Sequence, residues 1–399
     1  MSKQPNFLII VADDLGFSDL GCYGSEIKTP NLDKLAHDGV RMTNFHTAAA
    51  CSPTRSMLFS GTDNHIAGLG EMVEYMMPFK EYFQAKPGYE GYLNWRVDAL
   101  SEVLQDSSYH TIFSGKWHLD LTKDISPSSR GFTRDFTFLP GAGNHFGYEP
   151  QLHDDVSFPA LTSKGHWMED GSFFAHEDLP QDFYSTTAFT DKLLEKLKLR
   201  TGKEAQSPFF ATLAFTAPHW PLQAPKHVVD KYRRNHHPAS CGIYANAAQV
   251  ACTTKGRMSL LRPVCVALVP PPVGTSGYEW RSMTADAQAR SARAMEVYAA
   301  MVEMVDDSVG RVLGYLRGTG ELENTLVLFM SDNGAEGASI EAGPIMGGTK
   351  TMSYVFEKYY NNSLDSFVWY GQYKSNTMAF TNHQLIRKRT TLGLRFLSS

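Results

Sequence analysis

Four short runs restrict this chain more than any other feature: FLIIVA at residues 7–12, HTIFS at 110–114, FFATLAF at 209–215 and TLVLFMS at 325–331. A run with little polar surface on either side reads as a strand buried on both faces. Helical patterns stand between the runs. Leu100 to Gln105 is one, and Thr186 to Leu199 is another, with Leu193, Leu194 and Leu197 set among charges. The longest, Asp286 to Leu316, carries Met295, Tyr298, Met301, Val302, Val305 and Val309 along one stripe. Thr29-Pro30 reads as the N-cap and first-turn proline of a short helix that Gly39 closes, and Val40 to His46 as a strand leading to a turn at Cys51. Strands separated by helices give an α/β class, a mostly parallel central sheet with helices on both faces.

At 399 residues and 42% hydrophobic, the chain is long enough for one large core or two. A formal net charge of −5 carries no nucleic-acid footprint. No apolar run reaches membrane-spanning length, and the first residues run straight into a strand with no cleavage region, so a cytoplasmic protein without a membrane partner is expected. The five cysteines are an odd number without metal-site spacing, which argues against a disulfide framework.

Each apolar run ends in polar residues. Asp13 and Asp14 follow the first, Lys116 and His118 the second, His219 the third, and Asp332 and Asn333 the fourth. Ligands of open α/β sheets bind beyond the carboxyl ends of the strands, so these distant pairs are expected to meet. One such pair alone reads more simply as a solvated turn or helix cap. Asp13, Asp14, Asp332 and Asn333 offer only hard oxygen ligands, which suits Ca²⁺ or Mg²⁺. Lys116 and Arg55 could neutralise a substrate oxyanion, and His118 and His219 could act as base and acid on opposite sides of it.

Cys51 opens CSPTRSMLFSG, which reads as the start of a helix with Pro53 in its first turn. A helix N-terminus with Arg55 one turn in is a natural anion site. The thiol itself has three uses on type alone: core residue, redox thiol or activated nucleophile. Beside a hard cation it is a poor match. Other candidates read as ordinary structure first: His65 as an exposed loop histidine, Cys22 as a small buried residue, and His145, His166, Trp167, Trp220 and the tyrosines from Tyr354 to Tyr373 as core rather than an aryl pocket.

Cys51-Ser52-Pro53-Thr54-Arg55, with Gly61 after it, resembles the signature Cys-x-Pro-x-Arg of the type I sulfatases. NFLIIVADDLGFSDLGCYG, GKWHL, FTAPHWPLQAP and MSDNGAEG are similar to that family's other active-site blocks, most like the bacterial and fungal arylsulfatases. The resemblance covers residues 5–234 and 284–373. It implies an alkaline-phosphatase-like fold and hydrolysis of sulfate esters. It also implies that a formylglycine-generating enzyme oxidises Cys51 to Cα-formylglycine, whose hydrate suits the hard cation. By this analogy one hydroxyl of the hydrate attacks sulfur while His219 protonates the leaving alcohol or phenol. His118 then takes the proton of the second hydroxyl, expelling sulfate. Arg55 and Lys116 hold the diol and sulfate oxygens, and Ca²⁺, with Mg²⁺ as the alternative, is held by Asp13, Asp14, Asp332, Asn333 and residue 51. A monomer acting on a small sulfate ester is expected.

The chain departs from the family in two places. From Asn235 to Tyr278 it has no Asp or Glu and contains Cys241, Cys252, Cys265 and three successive prolines, where a charged helical connection is expected. From Asn382 it becomes NHQLIRKRTTLGLRFLSS, where the family continues into a C-terminal subdomain. These stretches read as frame-shifted or non-coding in origin, or as a natural truncated variant. The expected layout is therefore a catalytic domain over 1–381, with 235–282 as an atypical insert and 382–399 as a basic tail, and with one edge of the core left bare. Met378 stands where the family commonly places a sulfate-binding lysine, and Lys374 is the nearest remaining one. A phosphonate or phosphate ester hydrolase of the same fold and an inactive, non-catalytic product are the two other readings.

Overall fold

The structure, a computed structural model, describes residues 4–147, 166–233, 284–335 and 392–395. The expected strands form the middle of one sheet: β1 (Asn6–Ala12), β3 (His110–Lys116), β7 (Phe209–Ala214) and β8 (Thr325–Ser331). With β2 (Val40–Met42), β4 (Arg134–Phe138), β5 (Trp167–Glu169), β6 (Ser172–Phe174) and β9 (Leu392–Arg395), the order is β2-β9-β8-β1-β7-β3-β4-β5-β6. The five strands β8, β1, β7, β3 and β4 are parallel to one another, and the flanking pairings are antiparallel.

Register decides where the polar ends fall. Val11 lies opposite both Ala214 and Met330, and Gly115 lies opposite Ala214. The strands thus finish level, and the next residues stay tied: Asp332 N–H donates to Ala12 O at 3.1 Å, and Asp13 N–H to Ala217 O at 3.0 Å. Alternate residues serve opposite cores, as the strand period of two requires. Leu8, Ile10, Phe209, Ala211, Val327 and Phe329 pack towards the helix Ser185–Lys198 and the long helix Ala285–Gly318. Ile9, Val11, Phe113, Phe210 and Met330 pack on the other side with Phe59 of α2 (Cys51–Ser60). Phe59 meets Trp117 at 5.1 Å and Phe132 edge-on at 6.0 Å between ring centres, which anchors the helix that carries Cys51.

Several local expectations are revised. The strand starting at Val40 stops at Met42 rather than His46. Cys22 is half-buried, in a turn beside Asp33, rather than fully enclosed. Beyond β8 the sheet continues antiparallel, with β9 paired to β8 and in turn to β2. Helix α1 (Pro30–Asp38) begins at its proline, but Thr29 makes no capping bond and donates to Asp33 instead, at 2.9 Å. Its free N–H groups are met from the long helix Ala285–Gly318: Leu32 N–H donates to Asp306 Oδ1 at 2.8 Å and Asn31 N–H to Oδ2 at 3.2 Å. Trp167 is core, within 4.8 Å of Phe138 between ring centres. Among the described residues no helix is long and apolar enough to cross a membrane.

Replacing Asp306 leaves buried helix donors unmet, so Asp306→Leu should lower stability by ~2–3 kcal/mol in urea unfolding. A loss no larger than that of an exposed substitution on the same helix would show that α1 is capped in another way.

Candidate active site

The level strand ends bring together Asp13, Asp14, Lys116, His219, Asp332 and Asn333, and the N-terminus of α2 adds Cys51 and Arg55. Arg55 lies at the centre, fully buried. Its Nε donates to Asp332 Oδ2 at 3.0 Å, its Nη2 lies 3.5 Å from Asp13 Oδ1, and its Nη1 donates to Lys116 O at 2.7 Å. The buried Lys116 ammonium donates to Asp13 Oδ2 at 2.6 Å. Asp14 accepts from Asn333 Nδ2 at 2.6 Å and lies 3.4 Å from His219 Nε2. The Cys51 thiol points to Asp14 Oδ1 at 3.8 Å.

Left-handed backbone is held at Asp14, with φ 60°, and at His118, two residues past Lys116, with φ 58°. Such conformations cost of order 1–3 kcal/mol for residues other than glycine and persist only where the surroundings enforce them. At Asp14 the enforcement is visible, since its N–H donates to Asp332 Oδ1 at 3.2 Å.

The electrostatics follow from three buried carboxylates facing two buried cations. Burial works against ionisation of Asp13, but Lys116, His219 and Arg55 hold it below the usual carboxylate range. Asp332 is pushed up to about 7 by burial and by Asp13, against Arg55 and Lys116. Burial, with Asp332, Asp13 and Asp14 around it, raises the Cys51 thiol well above its ordinary value despite Lys116. Burial and the three acids thus disfavour the thiolate. Burial lowers both His118 and His219.

The donor set fits a hard divalent cation. One ligand atom from each of Asp13, Asp14, Cys51 and Asp332 lies within 4.8 Å of the others. Two buried oxygens at the same place, Asp13 Oδ1 and Asn333 Oδ1, accept no hydrogen bond among the described residues. Oxygen donors with an excess of negative charge suit Ca²⁺ or Mg²⁺, with only the thiol out of character.

The family model described as Sulfatase matches residues 5–385. The chain belongs to the sulfatase family. An uncharacterised sulfatase of Schizosaccharomyces pombe is 50% identical over 383 residues, which are 93% of this chain and 65% of that protein. The arylsulfatase of Klebsiella aerogenes is 34% identical over 384 residues, 94% of this chain and 75% of that protein. This sulfatase chain thus spans about two thirds to three quarters of those relatives. Among solved structures, Ps i-CgsB in complex with a neocarrahexaose superimposes with TM-score 0.57 at 24% identity, over 84% of this chain and 59% of that one. The phosphonate monoester hydrolase of Agrobacterium radiobacter does so with TM-score 0.52 at 18% identity, over 98% and 68%. Both likenesses concern the fold.

One residue at the site carried no usable sequence signal. Glu74, on the short helix α3 (Val73–Met76), is buried with its Oε1 3.0 Å from His118 Nε2. In MVEYMM it has nothing to separate it from a solvated acid. His145, read from the sequence as core rather than as part of an aryl pocket, is buried. Its Nε2 lies 3.0 Å from His219 O, and its Nδ1 lies 2.9 Å from Ser185 Oγ, so it braces the His219 turn. His65 is exposed and pairs with Asp63. Met378, Lys374, the tyrosines from Tyr354 to Tyr373 and the stretch 235–282 lie outside the described residues.

Removing the central cation would strand buried carboxylates. Arg55→Met should cost ~3–5 kcal/mol in urea unfolding without added divalent cations. Adding Asp332→Asn to that variant should restore part of the loss. Additive losses would show that Arg55 and Asp332 do not stabilise one another.

Proposed function

We propose that this sulfatase-family chain hydrolyses sulfate esters of alcohols or phenols once Cys51 has been oxidised to Cα-formylglycine by a generating enzyme. The observation that carries the reading is the setting of Cys51. Its thiol is buried at a helix N-terminus among Asp13, Asp14 and Asp332, which oppose the thiolate that cysteine catalysis needs. An oxygen-bearing side chain there would complete an all-oxygen ligand set. Asp13, Asp14, Asp332, Asn333 and residue 51 would hold Ca²⁺, which supplies charge neutralisation at a sulfate oxygen when bound.

The other residues take roles set by their charge and place. Arg55 and Lys116 orient residue 51 and the sulfate oxygens. His219 donates a proton to the leaving oxygen. Burial keeps its free imidazole neutral, so it must gain that proton as the anionic ester arrives and raises its affinity. His118 accepts a proton from residue 51 during sulfate release. Residues 1–381 form the catalytic domain in this reading, with 235–282 as an atypical insert and 382–399 as a tail.

Co-expression with a formylglycine-generating enzyme should convert Cys51, read by peptide mass spectrometry, and give nitrophenyl sulfate turnover that Cys51→Ala abolishes. Unmodified Cys51 without turnover, or turnover of phenylphosphonate in preference to the sulfate, would overturn the assignment.

Elemental analysis should find calcium or magnesium in stoichiometric amount, lost in Asp332→Ala. Zinc bound at that position would contradict the oxygen-ligand argument.

His219→Ala should slow alkyl sulfates by ~10²–10⁴-fold and nitrophenyl sulfate much less, because nitrophenolate leaves without a proton. Equal losses would assign His219 another role.

A further inference from the structure

Glu74 is costly to bury and has no role in the site as assigned above. Helix α3 lies at the surface, with Tyr75 and Met77 beside it exposed, yet Glu74 is turned inward and only 7% exposed. A buried carboxylate is retained only where something compensates its charge or hydrogen-bonds it. Its partner is the imidazole of His118, through Glu74 Oε1 and His118 Nε2 at 3.0 Å. The ring is held from its other sides as well. A Cβ on Gly141 would come within 2.5 Å of His118 Cε1 and Nε2, so a glycine there lets the backbone close on the ring. His118 itself has the left-handed backbone noted above.

A neutral imidazole has one N–H, and a carboxylate accepts only. The nitrogen facing Glu74 must therefore carry the hydrogen, which leaves a lone pair on the other. That other nitrogen, Nδ1, is buried and has no hydrogen-bond partner among the described residues. We propose that Glu74 is a positioning residue that holds His118 as its Nε2–H tautomer, so that Nδ1 is the atom that takes up the proton in the sulfatase reaction. This rests on the reading of His118 as proton acceptor. In that step Nδ1 forms the new bond to hydrogen, the O–H bond of residue 51 breaks, and its electron pair stays on oxygen. The resulting imidazolium is stabilised beside the Glu74 carboxylate, with no proton passing to Glu74.

The charged groups acting on His118 support this assignment. Glu74 from α3 favours the protonated ring, while Lys116 from β3 and Arg55 from α2 disfavour it, and burial tips the balance to the neutral form. Burial opposes ionisation of Glu74, but the imidazole brings its carboxyl down to about 2, so it is an acceptor at neutral pH.

The test reads the ring directly in the full chain labelled with [¹⁵N]histidine. Long-range ¹H–¹⁵N spectra distinguish the tautomers, and His118→Gln identifies the His118 signals among the 14 histidines. Above neutral pH the wild type should show His118 with hydrogen on Nε2. Glu74→Gln keeps an acceptor without the charge, so the tautomer should persist while proton affinity falls about tenfold. Glu74→Leu should release the Nε2–H preference. In the formylglycine-bearing enzyme, Glu74→Gln should move the acidic limb of kcat to lower pH with little change in KM. An Nδ1–H tautomer in the wild type, or a His118 signal unchanged in both Glu74 variants, would overturn the proposal. Because the spectra need no turnover, a correct tautomer in an inactive chain would instead count against the sulfatase reaction.

Discussion

Arg55 is the interaction on which the site depends. One guanidinium from α2 pairs Asp332 beyond β8, lies beside Asp13 beyond β1, and donates to the backbone of Lys116 at the end of β3. Its planar fork allows these separate directions, which an ammonium could not satisfy in the same way. Lys116 contributes the second positive charge and donates to Asp13. Together they allow three carboxylates to sit buried side by side, where isolated ions would neutralise instead. The same arrangement keeps the Cys51 side chain next to acids that disfavour its thiolate, and so determines what residue 51 can do.

The sheet supplies the rigidity that this concentration of charge requires. Its parallel strands end level, and the residues just beyond them remain hydrogen-bonded to neighbouring loops. Left-handed backbone at Asp14 and His118 is maintained within that frame. The loops are braced individually. Tyr298 of the long helix donates to Asp19 at 2.6 Å, and Asp19 accepts from Gly16 N–H at 2.9 Å, which fixes the turn after Asp14. His145, neutral because burial pushes it down to about 4, performs the same service for the His219 turn with Ser185 and Thr216. Long-range bonds of this kind turn four separate strand ends into one constellation.

The two histidines differ in the charged groups that face them. His219 faces Asp14, with its Nε2 3.4 Å from Asp14 Oδ2. His118 has its carboxylate on the far nitrogen and carries a fixed orientation. Burial lowers both, so their difference lies in the partners rather than in exposure.

Local chemistry made much of this legible in the sequence. Unbroken apolar runs define strands wherever they fall, and β8 spans the residues its pattern indicates, Thr325–Ser331. Acids and histidines directly after such runs lie beyond the carboxyl ends of the sheet and a lysine closes one strand, so Asp13, Lys116, His219 and Asp332 could be grouped without coordinates. The Cys-x-Pro-x-Arg spacing is likewise local, with both residues near the start of one helix. Only the tertiary structure decided which groups face one another. The cap of α1 comes from Asp306, hundreds of residues away, and the nitrogen of His118 meets Glu74 from an unremarkable short helix. The pairing of β9 with β8, and the protonation preferences of Asp332 and Cys51, are of the same kind. Strand and helix patterns depend on neighbours along the chain; these contacts and charge balances depend on neighbours in space, which sequence spacing does not record.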